Sequence, residues 1–403
     1  MRLFAAFQSR SFAVLWTSQA LSRLGDRVYL IALAWWVVAT TGSAAVMGAV
    51  LLAGLVPTLG LVLVGGVVVD RWSRAHLMLA SDLARGLVVG VAAGLAAAGM
   101  LGLPGLLALS AAFGAVDAFF DPAYTAIVPQ LVVPELRPSA NSLTELSRRL
   151  ARVVGPAIGA AVVAVAGVPA AFAIDAASFG ASALGMLVIA RYTPTTPQRE
   201  EPQSPLQEVR EGLRAVTAVP WLWITIAVAS ITNITLAGPL EAVLPLLVTG
   251  HFGAGVGLLG ALDALAGVGS VGAVIWLGHQ TRFRHRGLLV YLTWIGCGLA
   301  VAALGLPVPI AAASLLMIAI GASLTTLGLV WMQTLQELIP ENLLGRVSSI
   351  DILGSAAFVP IGYIAAGAMA DTVGPGPVFV VGGLATASLL TLALIHPAIR
   401  RLD

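Results

Sequence analysis

The sequence predicts an all-α membrane protein of twelve transmembrane helices, arranged as two pseudo-symmetric six-helix halves. Three observations predict it: the composition, the spacing of the apolar runs and an internal repeat. Of 403 residues, 59% are hydrophobic and only 10% are charged, whereas a soluble domain carries about 25% charged residues. Every basic residue apart from histidine is an arginine. A single cysteine, Cys297, excludes an internal disulfide and any multi-thiolate metal site.

About 20 apolar residues are needed for a helix to cross the hydrocarbon core. Laid along the chain, that length marks spans at 12–38, 44–69, 76–98, 103–127, 140–166, 169–190, 219–248, 254–278, 287–305, 308–334, 346–370 and 375–396. The basic, amphipathic lead "MRLFAAFQSRSFAVLW" runs into the first span with no small-residue cleavage site, so it is expected to stay with its helix. Connections as short as "TTGS" after the first span and "AGVP" between the fifth and sixth make successive helices antiparallel neighbours.

Orientation follows from arginine. With the N-terminus inside, the inner loops and ends receive Arg2, Arg10, Arg71, Arg74, Arg137, Arg191, Arg199, Arg210, Arg214, Arg282, Arg284, Arg286, Arg346, Arg400 and Arg401, and the outer loops receive none. The positive-inside rule therefore puts both termini in the cytoplasm. The longest connection, 191–218, is Pro-rich and then amphipathic, the pattern of a tether followed by a surface helix. It separates an N-terminal half, 1–190, from a C-terminal half, 219–403.

The halves echo one another. "TGSAAVMGAVLLAG" returns about 212 residues later as "GAGVGLLGALDALAG", aligning Gly48 with Gly260, and "GGVVVDRWSR" returns as "LGHQTRFRHR". A second echo pairs "VPELRPSANSLTE" with "IPENLLGRVSSID", so that Glu145 meets Asp351. Parallel six-helix halves are one recurrent plan of secondary transporters, with the substrate site near the midplane. The loop Gly66-Val-Val-Val-Asp70-Arg71-Trp-Ser-Arg74 resembles the Gly-x-x-x-Asp-Arg-x-x-Arg signature of the major facilitator superfamily. "LSRLGDRVYLIALAWWV", "AFFDPAYTAIVPQLV", "LARVVGPAIGA" and "FAIDAASFGASALGM" resemble its branch of macrolide, multidrug and siderophore exporters. The likeness covers nearly the whole chain and is stronger in the first half. The chain departs from related antiporters in three places. The fourth span lacks their arginine-rich signature, the fifth carries only Gly155-Pro156-x-x-Gly159, and Arg27 follows Gly25-Asp26 where the branch usually has no base.

Charges inside the spans are the candidate site. Each costs about 2.5–3.5 kcal/mol at a helix centre, so it faces a wet cavity or a partner. Arg23, Asp26 and Arg27 lie three and four residues apart on one face of the first span, where the arginines are expected to neutralise part of the cluster. Asp26 is the expected proton-titrating or cation-contacting group, with Tyr29 one turn further on. On the fifth span Arg152 is a cavity candidate able to hold an anionic group, while Glu145 and Arg148 are expected at a cytoplasmic gate. Glu241 and Asp263 are isolated acids of the second half, suited to a proton or a cationic drug, and Asn233 is a further polar candidate. Asp175 with Ser178 fits helix packing or an outer gate. The family resemblance further implies a gate in which Gly66, Asp70, Arg71 and Arg74 of the 2–3 loop meet Asp121 and Asp351.

No Gly-x-x-x-x-Gly-Lys-Ser/Thr loop is present, the five histidines have no metal-ligand spacing, and no nucleophile–base constellation appears. The expected protein is thus no enzyme and has no cofactor or metal. It is a monomeric secondary transporter of the bacterial inner membrane whose partners are amphiphilic small molecules, protons and the bilayer, with no nucleic acid. Export of drugs or secondary metabolites by proton antiport is the function this implies. A dedicated exporter or flippase of one siderophore or lysolipid is the alternative, and a transport-dead sensor or passive channel is the reading from another class.

Overall fold

Helix forms where the apolar runs lie. The computed structural model describes residues 3–192, 205–278 and 285–402, without the side chains of 3, 63, 64, 66, 67, 70, 71, 192, 205–209, 341 and 342. In chain order the helices are α1 (Arg10–Thr41), α2 (Ala44–Arg71), α3 (Arg74–Ala97), α4 (Leu103–Leu131), α5 (Arg137–Tyr192), α6 (Pro205–Ala218) and α7 (Pro220–Ala237). After them come α8 (Leu244–Leu246), α9 (Val256–Gly278), α10 (Arg286–Leu304), α11 (Ile310–Leu338), α12 (Glu341–Ala357), α13 (Val359–Val373), α14 (Pro375–Leu394) and α15 (Pro397–Arg400). There is no β-strand among the described residues.

Ten segments among them are long and apolar enough to cross a membrane, one being the 58-residue stretch Pro134–Arg191. Inside that stretch Gly167 sits at φ 81°, ψ 173° and breaks α5 into two arms. A side chain is strained at that φ, and Pro169 disfavours helical backbone at the residue before it, so "AGVP" encodes the reversal. The expected count of twelve divides this stretch in two and includes α1, whose apolar run is interrupted by Arg23, Asp26 and Arg27. Beyond α7 the backbone widens to π-helix at Gly238–Val243 and Leu247–His251. Pro239 and Pro245 each remove an amide donor there, and π turns of this kind cluster at functional positions.

Packing divides the chain into two units. The first comprises Met1–Thr40, Ala49–Glu200 and Val256–Ala264. In it α3 lies against α4 and α5, over a core that includes Phe12, Leu15, Met78, Ile127, Leu143 and Met186. Helices α2 and α4 meet at backbone distance: Thr58 Oγ1 donates to Gly114 O at 2.9 Å, and a Cβ on Gly114 would fall inside contact with Gly54 O. Small residues are how membrane helices come this close. Because both sides of that contact are main chain, nothing can rotate away. Gly114→Ala is therefore expected to cost about 1–3 kcal/mol by overpacking and to lower the melting temperature of the purified protein; an unchanged melting temperature would rule out the close crossing.

The second unit comprises Thr41–Gly48, Glu201–Gly255 and Leu265–Asp403. Its helix pairs include α10 with α14, α10 with α11, and α7 with α13 and α14. The surface helix expected after the tether is α6. It packs on α12 through the Glu211–Arg346 ion pair and a core of Val216, Leu222, Leu335 and Val347. The tether itself, 193–204, lies outside the described residues. Asp371 at the end of α13 caps α2: it accepts from Ser43 Oγ, from Ala44 N at 2.7 Å and from Ala45 N at 3.3 Å. A carboxylate at a helix N-terminus satisfies orphan donors and the dipole together.

The internal repeat reappears as repeated contacts. Just as Gly114 abuts Gly54 O, a Cβ on Gly321 would collide with Ala266 O, and Ala266 follows Gly54 at the 212-residue offset of the repeat. Gly48 and Gly260, aligned by sequence, are both places where a helix touches another's backbone: Gly48 at Tyr363 O and Gly260 at Pro156 O.

Candidate functional site

The first unit holds a polar cavity of about 220 Å³, lined by Arg23, Asp26, Arg27, Leu30, Asp121, Arg148, Ala151 and Arg152. Three helices build it: α1, α4 and the first arm of α5. Gly155 and Gly159 of the fifth-span motif bring α1 in, since a Cβ on Gly155 would overlap Arg27 Cβ and one on Gly159 would lie 3.0 Å from Val28 Cα. Gly25 does the same on the opposite side, where a Cβ would lie 2.5 Å from Asp175 Oδ1 and overlap Ser178 Oγ. The Gly25-Asp26 pair thus lets α1 lie flush on the second arm of α5. Ser178 Oγ donates to Asp175 O at 2.8 Å, a packing role for this pair.

The charges on α1 act on one another electrostatically, but no ion pair joins them among the described residues. Asp26 Oδ1 and Arg23 Nε and Nη2 are buried without a hydrogen-bond partner, and Arg23 instead lies over the Tyr124 ring at 4.8 Å. Side chains three apart on a helix are neighbours only if their rotamers converge; here Arg23 is drawn to the aromatic face. Among the described residues no ion pair engages Arg23, Arg27, Arg148 or Arg152.

Behind the cavity is a second charged node, on residues the sequence reading passed over. Asp82 and Arg85 of α3 and Asp117 of α4 meet there. Arg85 Nη2 donates to Asp82 Oδ1 at 2.7 Å and Nη1 to Asp117 Oδ1 at 3.1 Å. Arg85 is 3% exposed and Asp82 0%. Phe120 and Phe179 sandwich the guanidinium, 3.8 Å and 4.6 Å from its carbon. Ser182 Oγ donates to Asp82 Oδ2 at 2.6 Å and accepts from Gln19 Nε2 at 2.6 Å. Two carboxylates share one arginine. The signal was present: Asp82 and Arg85 are three apart inside an apolar run, the rule that singled out Arg23 and Asp26.

The remaining expected residues are distributed as follows. Asp121 and Arg148, assigned to the gate, line the cavity with Arg23. Glu145 pairs with Arg149 at 2.7 Å. Tyr29 does not line the cavity; it is buried between Phe113 and Phe172, ring centroids 5.7 Å and 5.2 Å away. Asp263 is not isolated, because Arg27 and Arg152 act electrostatically on it within the first unit. In the second unit Tyr363 Oη donates to Glu241, which is therefore not isolated either. Asn233 Nδ2 donates to Ser355 O at 2.7 Å, tying α7 to α12. Asp351 accepts from Trp331 Nε1 at 2.8 Å. Arg74 opens α3, Gly66 lies within α2, and the side chains of Asp70 and Arg71 lie outside what the structure describes.

Long apolar helices enclosing a charged cavity define a multi-pass membrane transporter. The fold agrees: the crystal structure of a bacterial homologue of the human lysosomal transporter Spinster, inward-facing and unoccupied, superposes with a TM-score of 0.71 over 98% of each chain at 17% identity. The family profile described as transmembrane secretion effector matches residues 2–401, and the chain belongs to that family, within the major facilitator superfamily. The multidrug efflux pump Tap of Mycolicibacterium fortuitum is 29% identical over 393 residues, 94% of each chain. Macrolide efflux protein A of Streptococcus pyogenes is 25% identical over 405 residues, 97% of each chain.

Proposed function

We propose that this protein exports amphiphilic drugs or secondary metabolites across the bacterial inner membrane by alternating access, in exchange for protons. Both termini then lie in the cytoplasm, a placement that the arginine distribution supports. The observation that carries the reading is the cavity itself, with Asp26, Asp121 and four arginines gathered on membrane-spanning helices. Charges so costly are retained where a substrate or ion meets them. Similarity to a multidrug pump and a macrolide efflux protein supports outward transport of small molecules. Asp26, with a buried oxygen that no donor satisfies, is the group we assign to proton binding.

The test is accumulation of a panel of drugs and metabolites in cells with and without the protein, before and after a protonophore. At least one compound is expected to be retained less when the protein is present, and the difference is expected to vanish with the protonophore. No protein-dependent efflux of any compound would overturn export. Efflux that persists under the protonophore would remove proton exchange alone. A single endogenous cargo, such as a siderophore or lysolipid, is the second reading; efflux confined to one metabolite would favour it.

A further inference from the structure

We infer that the cavity between α1, α4 and the first arm of α5 is a binding site for the anionic head group of an amphiphile, a carboxylate or phosphate. The inference rests on the transport reading above and adds the charge of the cargo. Four of the eight lining residues are arginines, Arg23, Arg27, Arg148 and Arg152, against two aspartates, Asp26 and Asp121. Asp263, the next acid, interacts electrostatically with Arg27 and Arg152 and still leaves the bases in excess. Outside the lining Arg149 is taken by Glu145, while Asp82 and Asp117 share Arg85 and leave that node one negative charge over, so the excess of bases belongs to the cavity wall itself.

Two further features favour an anion. Arg23 Nε and Nη2 are buried donors without an acceptor, and leaving charged donors unsatisfied in a protein interior is costly. Planar guanidiniums match carboxylate and phosphate oxygens two at a time. Size sets the extent of the ligand. At about 220 Å³ the cavity is smaller than the roughly 300–1,000 Å³ that takes a whole drug-sized molecule, and only Leu30 and Ala151 of its lining are apolar. It therefore accommodates a head group, with the apolar body of the cargo outside it.

The experiment uses two probes of one shape and opposite charge, 2-naphthoate and 2-naphthylmethylammonium. Binding is measured by equilibrium dialysis to the full-length protein in phosphatidylcholine nanodiscs, corrected with protein-free discs. Naphthoate is expected to bind at least about tenfold more tightly, and Arg152→Gln is expected to lose roughly tenfold or more, the scale of a charged hydrogen bond. Asp121→Asn is expected to bind naphthoate more tightly, a gain that no misfolded variant can produce. Equal or preferential binding of the ammonium, or indifference to both substitutions, overturns the inference. Discs containing phosphatidylglycerol distinguish the source of the anion. Displacement of naphthoate there points to a lipid head group and persistence to a soluble amphiphile, and either outcome supports the anion site. Naphthoate binding without efflux of any compound would remove export and leave the site; efflux of cationic drugs with no naphthoate binding would do the reverse.

Discussion

Arg85→Met is expected to be the most damaging single substitution for folding. It would leave Asp82, which is 0% exposed, with only Ser182 and Gln19 as partners, and would free Asp117 as well. Removing one member of a buried ion pair costs about 3–5 kcal/mol, because the charge left behind is uncompensated. For a unit of about 200 residues that corresponds to a loss of roughly 10 °C in melting temperature, read on the detergent-purified protein by fluorescence during heating. The triple substitution Asp82→Asn, Asp117→Asn and Arg85→Met removes the whole set of charges and is expected to recover a monodisperse, folded peak. A melting temperature for Arg85→Met equal to that of the parent would show that the node contributes nothing to stability.

Asp26→Asn is expected to have the largest effect on transport. Asparagine keeps the shape, so the close fit of α1 at Gly25 and Gly155 is preserved, but it carries no exchangeable carboxyl proton. Efflux driven by an imposed pH gradient in proteoliposomes should fall to the protein-free background. Binding of an anionic probe should be kept or strengthened, since the substitution removes a negative charge beside Arg23 and Arg27. Intact gradient-driven efflux would reduce Asp26 to a structural residue. Loss of transport and binding together would indicate a misfolded protein, a result the melting temperature checks.

Most of the helices were legible, and the reasons are simple. Apolar runs of spanning length have one stable answer in lipid, since every amide must be satisfied within its own helix. The observed α2, α9 and α10 begin and end within about three residues of the expected spans. Gly167 and Pro169 announced the reversal in α5. Partnerships were less legible. Glu241 and Asp263 look isolated along their own helices, yet Tyr363 and Arg27 reach them from residues more than a hundred positions away. Spacing along one helix says which side chains share a face and nothing about what that face meets. Asp82 and Arg85 were passed over although the same spacing rule applied to them. Their third partner, Asp117, lies on α4, so the node's completion, unlike its spacing, was invisible in one dimension.

The absence of lysine bears on the energetics of the proposed exchange. A guanidinium does not lose its proton within the physiological range, so the positive charge of the cavity wall is the same in acid and alkaline compartments. Leaving a cell whose interior is electrically negative, an anion gains about 2.3 kcal/mol per charge for each 100 mV of membrane potential, the amount a cation must spend. An anionic cargo of the kind inferred above is thus one that the membrane potential already expels, and its proposed exchange would need fewer protons to enter for each molecule that leaves.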